Sequence, residues 1–166
     1  MISNEEYRAI HEFYYLEAEL LDDHNLEAWY GLLSPNIRYY APLRAFYDRI
    51  EGRPYGDSPY FDDDYQSIKI RIEQQKTPQY TIAENPYTCV RRFVTNIFPR
   101  KEGEQYLVSS HILVYRTRST QASEPFILAA KRKDTLYKEN GQFKLYERWI
   151  DLDIPVIRSP NLSFFL

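Results

Sequence analysis

The chain has 166 residues, of which 43% are hydrophobic and 27% charged, and its 21 Lys and Arg against 24 Asp and Glu give a net charge of −3. This length suits one domain with one core, expected over residues 1–166, and the balance leaves no surplus cation to displace counterions from a nucleic-acid backbone. The lone Cys89 excludes an intramolecular disulfide, a Cys-rich zinc site and any iron–sulfur cluster held by two Cys of this chain, and no apolar run reaches the roughly 18 residues of a membrane helix.

The chain opens MISNEEYRAIHEFYY, with acidic and aromatic residues where a secretory signal places basic and then aliphatic ones, so a cytoplasmic protein is expected. Ser3 and Glu6 have the spacing of a capping box, and Tyr7, Ile10, Tyr14, Ala18 and Leu21 recur at steps of three and four. A helix is predicted over residues 3–22. Glu17 stands beside that stripe, where a carboxylate needs a partner, and an Arg is expected. Asn25 caps a second helix carrying Leu26, Trp29, Tyr30 and Leu33, which Pro35 ends. Ile37–Ala41 alternates as a half-buried strand. Residues 42–60 hold Pro42, Gly52, Pro54, Gly56 and Pro59 and are read as a long loop.

From Phe61, the residues Phe61, Tyr65, Ile68 and Ile72 return to helical spacing, with Asp62, Asp63 and Asp64 at the positive end of the helix dipole. The three Asp lack the alternating spacing of a calcium loop. After Pro86 the texture becomes extended. Val90–Phe98, Tyr106–Arg118, Phe126–Lys138 and Phe143–Ile154 are long β-branched and aromatic runs, and Asn140-Gly141 between the last two signals a tight hairpin. Helices at the front and a run of antiparallel strands behind define an α+β class with segregated elements. Two helices, a strand, a third helix and four strands resemble the plan of the cone-shaped fold of scytalone dehydratase and nuclear transport factor two, in which a curved antiparallel sheet wraps the N-terminal helices. That fold hosts enzymes and assembly subunits alike, so function rests on sites.

The parts for acid–base chemistry are few. Asp22 and His111 form the candidate pair for a stand-alone dehydratase or isomerase, or would line the cavity of a small-ligand binding module. The ordinary roles are a turn for Asp22 and a hydrogen-bonded groove position for His111. Cys89 is expected to be a buried, inert thiol, and no GxSxG, GxGxxG or GxxxxGK[ST] motif is present. A tail of Asn161, Leu162, Ser163, Phe164, Phe165 and Leu166 is too apolar to stay in water and must pack on its own domain or a neighbour.

In order along nearly the whole chain, the segment from Phe13 to Asp23, Trp29, the segments from Ile37 to Pro42, Phe61 to Asp64 and Ile70 to Ile72, then Ala83-Glu84-Asn85-Pro86, Arg92 to Asn96, Tyr115 to Arg118, Ala130 to Asp134 and Asn161 to Leu166 resemble the small (beta) subunit of aromatic-ring-hydroxylating dioxygenases. Lys131 and Lys133 are more basic than the resemblance leads one to expect. The resemblance implies an oxidoreductase subunit without a catalytic centre or metal of its own. The Rieske [2Fe–2S] centre and the mononuclear iron would lie in a partner alpha subunit, and beta chains would associate as a trimer. Trp29, Tyr39, Arg92, Arg118, Trp149, Asn161, Leu162, Phe164, Phe165 and Leu166 are the expected interface residues, with neither nucleic acid nor membrane as a partner.

Overall fold

The computed structural model describes residues 1–44, 55–76, 88–118, 125–153 and 164–166. Helix α1 (Asn4–Asp22) starts at the Ser3–Glu6 capping box and is pinned at that end. The Glu6 carboxylate accepts from Lys101 Nζ at 2.7 Å and from Tyr106 Oη at 2.5 Å, and these cationic and hydroxyl donors hold it ionised far below the ordinary carboxylate range. The buried side of α1 comprises Ile10, Phe13, Tyr14, Glu17 and Leu21. The true stripe is thus rotated from the one predicted: Tyr7 is exposed, and Glu17 lies inside the stripe instead of beside it. Helix α2 (Leu26–Tyr30) is capped by the Asn25 side chain and buries Trp29. It ends before Pro35, which falls within strand β1 (Leu33–Arg44).

Strand β2 (Tyr55–Asp64) runs antiparallel to β1, so residues 42–44 and 55–60 are not loop as expected. Pro42 and Pro59 face each other at a register shift. Beyond Tyr40 the described pairing of β1 is to β2 alone, and an edge or bulge tolerates a residue that cannot donate to the ladder. Phe61 to Asp64 belong to this strand, so the third helix, α3 (Tyr65–Lys76), begins later than its apolar spacing suggests. The three Asp separate in role. Asp62 pairs with Arg38 at 3.1 Å, Asp63 with Arg71, and Asp64 caps α3 by accepting from the Ser67 amide at 2.8 Å.

Strands β3 (Thr88–Glu102), β4 (Gln105–Arg118), β5 (Phe126–Glu139) and β6 (Gln142–Leu152) follow as a meander. The last hairpin turns on Asn140 and Gly141, both at positive φ (52° and 80°), as a two-residue primed turn requires. The sheet order is β2-β1-β6-β5-β4-β3. It is antiparallel except for β1 beside β6, a parallel pair that the sequence texture did not reveal.

Two irregularities decide which side chains face inward. In β3 the pairing shifts between Thr95 and Phe98, with Asn96 at φ 53°, so burial passes from Val90 and Arg92 to Ile97 and Pro99. In β6 both Tyr146 and Glu147 face outward, so burial passes from Phe143 and Leu145 to Arg148, Ile150 and Leu152. Such bulges re-aim every following residue of a strand.

The inward face packs on α1, whose main neighbour is β3, and on the chain's last three residues. The Phe165 ring lies 4.4 Å from Trp29 and 6.2 Å from Tyr39, with the Arg71 guanidinium 4.4 Å from its centroid. Its carbonyl accepts from Arg92 Nε and Nη2 at 3.1 and 2.9 Å, while Tyr39 Oη donates to the Leu166 carbonyl at 2.6 Å. Replacing Phe165 by Ala should therefore lower unfolding free energy in urea by roughly 3–5 kcal/mol, the range for a buried aromatic truncated to Ala; a loss under 1 kcal/mol would show that this residue does not seal the interior.

Candidate functional site

The space between sheet and helix holds a buried set of ionisable groups. The bulge in β6 turns Arg148 inward, β5 supplies Arg132 and Asp134, α1 supplies Tyr14 and Glu17, and β1 supplies Tyr39. Arg148 is the hub. Its Nη1 and Nη2 donate to the two Glu17 oxygens at 2.7 and 2.9 Å, its Nε and Nη2 to the Asp134 oxygens at 3.0 and 2.8 Å, and Nη1 also to the Leu166 carbonyl at 2.8 Å. Tyr14 Oη donates to Asp134 at 2.7 Å. Glu17 further accepts from Arg132 Nη1 and from Trp29 Nε1, each at 3.3 Å. Two cations thus face two anions, and all four side chains are at most 2% exposed.

Burial alone would raise the Glu17 pKa, but Arg148 and Arg132 outweigh it and the net shift is downward. Burial opposes the charge on Arg148 too, and Asp134 with Glu17 overcome it, so the guanidinium is held more firmly cationic than in water. Burial first, then the Asp134 charge, push the Tyr14 hydroxyl well above its ordinary value, and burial raises Tyr39. A general acid or base must change protonation near its working pH. Here the carboxylate stays ionised, the guanidinium charged and the phenols neutral, so the cluster holds the fold without moving protons.

The Asp22–His111 pair does not form. Asp22 at the end of α1 accepts from the Arg92 amide at 3.1 Å and from Arg92 Nη1 at 2.7 Å on the inner side of the sheet. His111 is exposed on the outer face of β4, where its Nδ1 meets Asn96 Nδ2 at 2.9 Å. Cys89 is exposed too, because it lies on the outward phase of β3. The three His are scattered over α1, the α1–α2 turn and β4, and among the described residues no three His, Cys, Asp or Glu gather in a metal-holding group.

The expected interface residues divide. Trp29 and Tyr39, both fully buried, belong to the chain's own core, as do Phe165 and Leu166 at 1% exposure; Phe164 and Arg92 are buried as well. These six side chains pack within the chain itself. Trp149 is half-buried on the outer face with its ring 4.8 Å from Tyr40, Arg118 ends β4 opposite Thr88, and Asn161 and Leu162 lie outside the described residues. The buried cluster itself was only half visible in the sequence, which predicted an Arg for Glu17 without identifying Arg148.

The outer sheet face is the other feature of note. Phe98, Arg100, Leu107, Lys133 and Trp149 line a trough of about 650 Å³, and Phe93, Leu113 and Ile127 are further exposed apolar side chains of the sheet.

Comparison with known proteins gives these features a setting. Residues 16–159 match the family model described as ring hydroxylating beta subunit. The chain is 35% identical over 164 residues to the benzene 1,2-dioxygenase subunit beta of Pseudomonas putida, a match covering 94% of this chain and 86% of that one. In fold it resembles a chain of naphthalene 1,2-dioxygenase crystallised with indole (TM-score 0.83, 23% identity, 99% and 95% of the two chains). It also resembles a Novosphingobium aromaticivorans protein named for scytalone dehydratase (TM-score 0.66, 19% identity, 90% and 85%).

The lowered Glu17 pKa fixes a sign. The stabilisation is complete above the ordinary carboxylate value of 4.5 and is lost as pH falls through the lower folded value. The urea midpoint of the native chain should hold from pH 7 to 5 and then fall more steeply than that of Glu17→Gln; parallel profiles would show that Glu17 does not titrate with the fold.

Proposed function

Because this chain belongs to the family of ring-hydroxylating dioxygenase beta subunits, we propose that it is a single-domain, cytoplasmic, non-catalytic subunit. It assembles a multicomponent oxygenase whose large (alpha) subunit dihydroxylates an aromatic hydrocarbon or aromatic acid. The observation that carries this reading is the filled interior. The space in which a cone-fold enzyme would hold substrate is occupied here by Tyr14, Trp29, Tyr39, Arg132, Arg148 and Phe165, all under 2% exposed, and there Glu17 is held ionised and Arg148 cationic.

The donor set agrees with a large subunit that carries the iron. A Rieske centre takes two Cys and two His, and the whole chain has one Cys, exposed on β3. A mononuclear iron of the two-His, one-carboxylate kind needs two His on one side of a pocket, whereas His11, His24 and His111 occupy three separate elements. The residues present do not fit either group, and no step of oxygen activation is assigned to this chain. Its work is to present rigid surfaces, to sister copies in a beta trimer and to the large subunits above them. No helix of the described residues is long and apolar enough to cross a membrane.

The test is reconstitution. The chain purified alone should contain no stoichiometric iron and oxidise no benzene or biphenyl, and it should co-purify with a co-expressed large subunit as a complex of equal stoichiometry. Iron and turnover in the isolated chain, or failure to join the large subunit, would contradict the proposal.

A further inference from the structure

Two exposed surfaces of the chain are opposite in sign and similar in pattern. Along α1, Glu12, Tyr15, Leu16 and Glu19 all face solvent and line a groove of about 670 Å³ between this helix and β3. These positions fall at i, i+3, i+4 and i+7, one face of a helix, with Leu16 and Tyr15 more than two-fifths exposed. Asp22 and Asp23 continue the groove, and Arg91 at its end is the one cation lining it. On the outer sheet face, Arg100, Lys131 and Lys133 surround exposed Phe98 and half-exposed Leu107. Arg100 sits 5.2 Å from the Phe98 ring centre. Of the two acids lining this trough, Asp134 is bound by Arg148 and Tyr14 on the inner side, and Glu147 stands opposite Arg38 of β1. Among the described residues, the side chains of Glu12, Glu19, Lys131 and Lys133 make no hydrogen bond or ion pair.

The spacings agree. Seven residues of helix separate Glu12 from Glu19 by about 10 Å. Arg100 pairs with Leu107, Leu107 with Thr135, and Lys133 lies two residues from Thr135, so Arg100 and Lys133 are two strands and two residues apart, about 12 Å. Leu107 lies between the cations as Leu16 lies between the carboxylates. The patches are on different sides of one molecule, so a contact joining them is head-to-tail, and a head-to-tail contact that closes makes a ring.

Resting on the reading of this chain as a self-associating beta subunit, we propose that the outward face of α1 in one copy docks in the basic apolar trough on the outer sheet face of the next, Glu12 and Glu19 meeting Lys133 and Arg100. This makes the two surfaces the repeating contact of the ring and leaves the sheet edge and loops for the large subunit. Charge complementarity of this kind fixes register and excludes wrong pairings.

The experiment is charge reversal with rescue, read by light scattering on the full chain over a concentration series, alone and with its large subunit. Far-UV circular dichroism monitors folding, which these exposed positions should not disturb. Glu12→Lys with Glu19→Lys, and separately Arg100→Glu with Lys133→Glu, should each raise the concentration at half-dissociation of the trimer by on the order of tenfold or more. The four changes together should return it towards the native value. A native trimer that neither reversal weakens would overturn this contact and leave the assembly role standing. Weakening without rescue would overturn the direct pairing, and a native chain that stays monomeric even beside the large subunit would overturn the self-association on which it rests.

Discussion

The structure depends on a guanidinium buried between two carboxylates. Arg148 reaches Glu17 on α1 and Asp134 on β5 and also binds the carbonyl of Leu166, so one side chain ties the first helix, two strands and the end of the chain together. Taking such ions out of water is expensive, and the network recovers that cost only because nearly every lone pair is used. Trp29 and Arg132 complete Glu17, and Tyr14 completes Asp134. The consequence is specificity of arrangement: the interior accepts this helix in this register or leaves a charge uncompensated.

The same cluster decides between enzyme and scaffold. A fold that encloses space can put acid–base groups there, and this chain does put Glu, Asp, Arg and Tyr there. They pair with one another, and the shifts of Glu17, Arg148 and Tyr14 favour the states these groups already occupy near neutral pH. The chemistry left to the molecule is on its outside, where aromatic and cationic side chains stand on a broad sheet and carboxylates on a helix.

Much of this was legible in the sequence. The capping box at Ser3, the end of α1 at Asp22, the four long strands and the Asn140-Gly141 hairpin all carry local signals that the fold keeps. What was not legible follows from non-local pairing. Strict alternation from Phe143 and Leu145 puts Glu147 and Trp149 inside; the bulge at Tyr146 and Glu147 puts Arg148 there instead and sends Trp149 to the outer face. Phe61 to Asp64 have helical spacing but are claimed by pairing with β1. Cys89 was expected inside, and its position in the β3 ladder turns it out. Trp29, Tyr39 and the final Phe165 and Leu166 have the composition of an interface and are spent on the chain's own core, which no single-residue signal distinguishes.

Glu17 and Arg148 lock the interior together, and a double-mutant cycle measures that coupling. Unfolding free energies of Glu17→Gln, Arg148→Met and the double variant should show each single change costing roughly 3–5 kcal/mol and the pair costing well under their sum, a coupling of about 2 kcal/mol or more. Additive losses, to within about 0.5 kcal/mol, would contradict it and leave the interior free for other work.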